Sequence, residues 1–212
     1  MKKTFEKFMS YIPLINNLEK LFISTLLLVL SGVMFKIRLN SIDGFICFIA
    51  MLFSFLGDIA LNCMPIKKRP HSLLYIGAGF FMVSHLIYAL AFSLLINSSS
   101  LSFFNIGSFL AIGVLVIIIT FTIHIMSKNK NNLSQMMIFV FSTYLCIIGI
   151  NLITIFSYSW IFGAFTWIGA VSFLISDYII GIENIFKIKS DTLRKLVWIF
   201  YPIGQILILV CR

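Results

Sequence analysis

The chain has 212 residues, 60% of them hydrophobic and only 11% charged, with a mean hydropathy of +1.07. That apolar share lies far above a soluble domain's, and the alternating ten-residue segments of a β-barrel are absent, which leaves an all-α, polytopic transmembrane helical bundle. A formal net charge of +9 would hint at nucleic acid in a soluble protein; here it belongs to loops facing lipid headgroups, and no groove of interleaved basic and aromatic residues for nucleic acid is visible.

Residues 1–17 open Met-Lys-Lys and carry Phe5, Phe8, Met9 and Ile12 at helical spacing, with Lys3, Glu6, Lys7 and Ser10 on much of the other face. The pattern predicts an amphipathic helix lying in the membrane interface, ended by Pro13 and Asn16-Asn17. It does not suit a signal peptide, since polar residues follow the charged start and no small-residue cleavage site appears. Residues 18–212 form a single bundle domain with seven predicted spans, near 20–35, 44–64, 72–96, 101–126, 133–156, 160–182 and 196–210. Each approaches or exceeds the length of uncharged chain that crosses a bilayer.

The predicted connections follow from the polar residues. A short loop holds Lys36, Arg38 and Asp43, and a basic turn holds Lys67, Lys68, Arg69, Pro70 and His71. An uncharged turn lies at 97–100, a basic Asn-rich turn at 128–132 and a tight neutral turn at Ser157-Tyr-Ser159. The longest polar loop runs from Glu183 to Lys195, with Glu183 and Asp191 as solvated charges. Alternating sides along the chain places 13 of the 16 Lys and Arg residues on the side of the N-terminus, leaving Lys36, Arg38 and Arg212 on the other. The positive-inside rule therefore predicts a cell-membrane protein with a cytoplasmic N-terminus and an external C-terminus. Cys47, Cys63, Cys146 and Cys211 show no CxxC spacing and read as small core residues or free thiols.

Three apolar spans carry polar residues that need an explanation. Ser54, Asp58 and Asn62 follow at i, i+4 and i+8, one stripe on a greasy helix. Ser84, His85 and Tyr88 lie in the third span, and Ser176 and Asp177 in the sixth. A carboxylate at membrane depth costs roughly 2.5–3.5 kcal/mol and by default marks a functional site. Asp58 and Asp177 fall one to two turns from the predicted cytoplasmic ends of their spans, with His85 and Gln205 nearer mid-membrane. At 1.5 Å per residue these depths agree within roughly 10 Å, so the groups are expected to converge on one intramembrane site.

The same stretches carry a resemblance. Gly57-Asp58-Ile-Ala-Leu61, then Gly79-Phe80-Phe81-Met-Val-Ser84-His85-Leu-Ile-Tyr88, then Gly169-Ala170-Val-Ser-Phe173-Leu-Ile-Ser176-Asp177 resemble the YhhN/lysoplasmalogenase family of membrane proteins. The segment from Tyr201 to Gln205 resembles the family's closing Gln-containing helix. Members often have eight spans, the first of which an interfacial helix replaces here, and the family's Lys-Pro stands as Lys20-Leu21. The resemblance implies an ether-bond hydrolase that cleaves the vinyl ether of lysoplasmalogens. Its products would be a fatty aldehyde and glycerophosphoethanolamine or glycerophosphocholine.

Acid-catalysed vinyl ether hydrolysis begins with proton transfer to the alkene carbon and passes through an oxocarbenium ion to a hemiacetal. Two carboxyls in unlike environments can divide such work, as in glycoside hydrolysis. Asp58 and Asp177 are therefore expected to be the acid/base pair, without assignment of which is the acid, and His85 to orient one of them or shuttle the proton. Asn62, Tyr88, Tyr144, Tyr201 and Gln205 are candidates for contact with a lysophospholipid substrate. For the tyrosines and Gln205, as for Asn151, interhelical hydrogen bonding is the blander reading. Lys67 and Lys68 are candidates for the substrate phosphate, although the orientation rule alone accounts for them.

Other readings remain open from the residues. Either aspartate could be a helix bridge and His85 a purely structural hydrogen-bonding group. Asp58, His85 and Asp177 form a conceivable but thin N/O metal set without an HExxH motif, so no metal and no cofactor is expected. Buried acids and a His also suit a proton-coupled transporter of a small or lipid-like solute, but neither an inverted repeat nor frequent Gly or Pro interruptions are apparent.

Overall fold

The structure, a computed structural model, describes residues 16–38, 41–62, 71–128, 135–185 and 190–211. The predicted N-terminal interfacial helix, the basic residues Lys67 and Lys68, and Cys63 lie outside the described residues. Within them the helices are α1 (Asn17–Ile37), α2 (Ile42–Asn62), α3 (His71–Ser98), α4 (Ile106–Lys128), α5 (Gln135–Phe162), α6 (Ala164–Ile185) and α7 (Asp191–Cys211). No strand occurs among the described residues. Seven helices are long and apolar enough to cross a membrane; the 21 residues of α1 rise about 30 Å, the thickness of a bilayer's hydrocarbon core. Large apolar side chains such as Phe22, Phe109 and Ile117 are exposed on the outside. A bilayer can solvate such a surface, whereas water would leave it an aggregation hazard.

Neighbouring helices close a ring in the order α1, α2, α3, α5, α6, α7 and back to α1. Helix α4 stands outside it, packed on α5. Its contact runs through Gly107, where an added Cβ would run into the Phe156 carbonyl oxygen, so only glycine allows the approach. Gly169 and Gly204 do the same for α6 and α7. A Cβ on Gly204 would lie 2.7 Å from the Phe173 backbone nitrogen and 3.0 Å from the Gly169 carbonyl oxygen. The interior of the ring is not wholly apolar: Ser54, Asp58, Ser84, His85, Asn151, Ser176, Asp177 and Gln205 are all buried in it.

Several boundaries differ from the sequence expectation, each for a local reason. Helix α1 starts at Asn17 instead of near 20, because Asn16 caps it in a capping box: its side chain accepts from the Glu19 backbone N–H at 2.9 Å, and its own N–H donates to Glu19 Oε2 at 2.7 Å. Helix α4 starts at Ile106 instead of near 101, because the Asn105 side chain accepts from the Ser108 N–H and caps it. The expected turn at Ser157-Tyr-Ser159 is helical. Ser157 Oγ bonds the Ile153 carbonyl one turn back at 2.8 Å, an arrangement that lets a serine sit inside an apolar helix. The chain breaks instead at Gly163. Glu183 and Arg194, expected in a loop, belong to the last turn of α6 and the first of α7, and Arg194 Nε lies 3.6 Å from Glu183 Oε1.

Candidate active site

Helix α6 carries Asp177 inward. Its Oδ2 accepts from Tyr144 of α5 at 2.6 Å and lies 2.8 Å from His85 Nε2 of α3. The other ring nitrogen of His85, Nδ1, is 2.8 Å from the Asn151 side-chain amide nitrogen. With that amide donating, Nδ1 is the acceptor and Nε2 carries the hydrogen directed at Asp177. Tyr144 and Asn151 are seven residues apart, two turns of α5, and so share a face. The chain Asn151–His85–Asp177–Tyr144 thus ties α3, α5 and α6 together in the dry interior. His85 is 1% and Asp177 2% exposed.

Asp58 of α2 heads a second cluster. Its Oδ2 accepts from Ser24 of α1 at 2.5 Å and from Tyr201 of α7 at 2.6 Å. Asn62 turns to the end of its own helix: its side-chain amide donates to the Asp58 backbone carbonyl at 2.9 Å, while its backbone carbonyl accepts from the Asn17 side chain at 3.1 Å. A third chain crosses the ring. Tyr88 donates to Gln205 Oε1 at 2.8 Å, the Gln205 amide approaches Ser54 Oγ at 3.4 Å, and Ser54 meets Ser84 at 2.7 Å.

The two acid clusters are neighbours with aromatic rings between them. Phe173 has its ring centre 4.6 Å from that of His85 and 5.7 Å from that of Tyr201. Phe81 sits edge-on to Tyr201 at 6.2 Å. The carboxyls still lie within range of each other's charge, and Lys20 within range of Asp58.

Asp177 borders a cavity among the described residues. This cavity, partly open to the surroundings and about 600 Å³ when the open space at its mouth is included, is lined by Asp177, Tyr144 and Phe81 together with apolar groups of α2, α3, α5 and α6. Leu61, Tyr75 and Val140 place it in the half of the bundle where α1 begins. Asp58 is not among its lining residues.

The model of the YhhN family matches residues 18–211. The chain belongs to the YhhN family. No curated protein and no solved structure matches it.

In this YhhN-family protein the three polar stretches singled out in the sequence do meet inside one ring of helices, as two acid clusters instead of one pooled site. Among the described residues no group of three His, Cys, Asp or Glu side chains gathers as metal ligands do, so Asp58, His85 and Asp177 are not assembled as a common ligand set. Ser24 escaped the sequence reading, and Phe173, though part of one of its three stretches, was given no role. A single serine in an apolar span has no pattern to announce it, and a phenylalanine among 23 looks like any other core residue. Lys67 and Lys68 lie outside the described residues.

Proposed function

We propose that this protein is a lysoplasmalogenase-like hydrolase of the cell membrane, with its N-terminus in the cytoplasm, that cleaves the vinyl ether bond of lysoplasmalogens. The observation that carries the reading is a buried carboxyl, Asp177, braced by Tyr144 and His85 on one oxygen and bordering an apolar cavity. Membership of the YhhN family supports the same reaction class. Asp177 Oδ1, which only Ser176 Oγ approaches, at 3.4 Å, among the described residues, delivers a proton to the alkene carbon, and the adjoining ether carbon becomes an oxocarbenium ion. Water adds to that carbon and returns its proton to the Asp177 carboxylate, giving a hemiacetal. The hemiacetal collapses to a fatty aldehyde and glycerophosphoethanolamine or glycerophosphocholine, so atoms and protons balance with one water consumed.

In this scheme His85, oriented by Asn151, and Tyr144 hold the Asp177 carboxylate in place between the two proton transfers. Asp58 contributes a second carboxyl whose charge favours the cation. Tyr144 touches the substrate at the cavity, whereas Tyr88, Tyr201 and Gln205 hold the surrounding helices, and Lys67 and Lys68 meet the phosphate at the membrane surface. The experiment is aldehyde release from lysoplasmenyl-ethanolamine and -choline by the detergent-purified protein, with and without EDTA. Release that survives EDTA supports the scheme; loss with EDTA transfers these residues to a metal. A folded protein that releases no aldehyde removes the assignment and brings proton-coupled transport forward.

A further inference from the structure

The cavity beside Asp177 is chemically one-sided. Leu61, Leu74, Ala78, Phe81, Val140, Phe141 and Ile180 supply apolar wall, and among the described residues no Lys, Arg or His lines it. Tyr75, Tyr144 and Asp177 are the described lining residues with polar side-chain atoms, yet the wall itself is almost wholly apolar, and Tyr144 and Asp177 are buried and already bonded to each other. A phosphodiester with an ammonium group could not desolvate here without a partner. A hydrocarbon chain loses nothing by entering, and a single uncharged oxygen at its end asks least of such a wall, with the Tyr144–Asp177 pair directly behind it.

We propose that this cavity is the seat of the hydrocarbon chain and of the fatty aldehyde released from it, while the phospho-headgroup stays outside. This rests on the hydrolase reading and deepens it by dividing the substrate between cavity and surroundings. The chemical class bound is a single hydrocarbon chain ending in a small neutral oxygen group, an aldehyde or a primary alcohol. Transfer of such a chain from the bilayer exchanges one apolar surrounding for another. Attraction therefore comes from filling a void whose walls lack contacts on one side and from the polar end group at Tyr144 and Asp177. Selectivity is then steric, and the small residues decide it: Ala78 on α3 faces the void, and at Gly181 on α6 an added Cβ would lie 2.5 Å from the Phe141 ring. A fatty alcohol, which matches the aldehyde in shape but not in reactivity, is a competitive inhibitor on this assignment.

The test is photolabelling of the full-length protein in lipid nanodiscs with a primary fatty alcohol that carries a diazirine in its chain, mapped by mass spectrometry. Labelling is expected within 74–81 and 140–144. Excess unlabelled fatty alcohol should compete at least ten-fold, and glycerophosphocholine should not compete. Ala78→Phe and Val140→Trp, each checked for an unchanged melting transition, should both cut labelling at least ten-fold; Ile117→Ala on the lipid-facing side of α4 should leave it unchanged. Labelling that falls elsewhere, that survives in a folded variant of either kind, or that glycerophosphocholine displaces overturns the proposal. The arms separate the two claims. Specific labelling without aldehyde release in the hydrolase assay keeps the chain site and removes the reaction. Aldehyde release with labelling indifferent to both filled variants keeps the reaction and removes the chain site.

Discussion

Asp177 and Asp58 are built alike and situated differently. Each is a buried acid with two donors on a single carboxyl oxygen, one of them a tyrosine hydroxyl. Asp177 borders a cavity and is held by a histidine whose far nitrogen is itself fixed. Asp58 is enclosed by Ser24 and Tyr201, and its helix is anchored at the Asn62 end. On the proposed reading, burial and hydrogen bonding therefore do not separate the proton-transferring carboxyl from its neighbour; contact with the cavity does. A buried carboxyl next to empty space can meet a substrate, and the same carboxyl packed among hydroxyls can act only through its field.

The largest expected effect breaks the comparison directly. Asp177→Asn should lower aldehyde release by ~10³, within the ~10²–10⁴ that a positioned acid or base supplies, with an unchanged melting transition. Asp58→Asn should cost less, about 10²-fold, since it removes a charge at a distance and leaves the transferring group in place. A ranking in the opposite order would move the proton to Asp58 and demand a route from the cavity past Phe81.

The two tyrosines sharpen the contrast one step down. Tyr144→Phe removes a donor from the carboxyl that borders the cavity, so its effect should appear in turnover, about ten-fold or more. Tyr201→Phe strips a donor from an enclosed carboxyl and should appear in stability, ~1 kcal/mol, as interhelical hydrogen bonds in membranes are modest. Steady-state rates and unfolding midpoints in the same mild detergent separate these outcomes, and equal kinetic losses from both would merge the clusters into one functional unit.

How much of this was legible beforehand depends on the kind of signal. The number of helices and their membrane character follow from apolar runs, and Asp58, His85 and Asp177 stood out because charge in such runs is costly. Their division into two clusters was not legible: helical periodicity gives each residue a face, but which faces meet depends on the ring order of six helices. That order is set by close contacts such as Gly169 against Gly204, which sequence spacing does not express. The helix ends were hidden for another reason. Asn16, Asn105 and Ser157 are turn formers by composition, yet here each bonds a helical backbone group, and a small polar residue alone does not tell a cap from a turn.

The smallest effects on turnover concern the glycines that hold the two acids at their spacing. Changing a helical glycine to alanine gains up to ~1 kcal/mol of helix propensity, and overpacking takes back about 1–3 kcal/mol where the new methyl has nowhere to go. Gly79 has nothing within 4 Å of an added Cβ, so Gly79→Ala should be neutral or slightly stabilising. At Gly57 the methyl would lie 2.7 Å from the Phe81 ring, a side chain that can swing toward the cavity it lines; Gly57→Ala should leave stability nearly unchanged while weakening fatty-alcohol binding. At Gly204 the obstacle is the backbone of α6, which cannot swing. Gly204→Ala should lose about 1–2 kcal/mol and push the helix of Asp177 away from that of Tyr201. Unfolding midpoints that fail to rank Gly79→Ala above Gly57→Ala above Gly204→Ala would mean that α6 and α7 can part without cost, and that their spacing is not what relates one acid to the other.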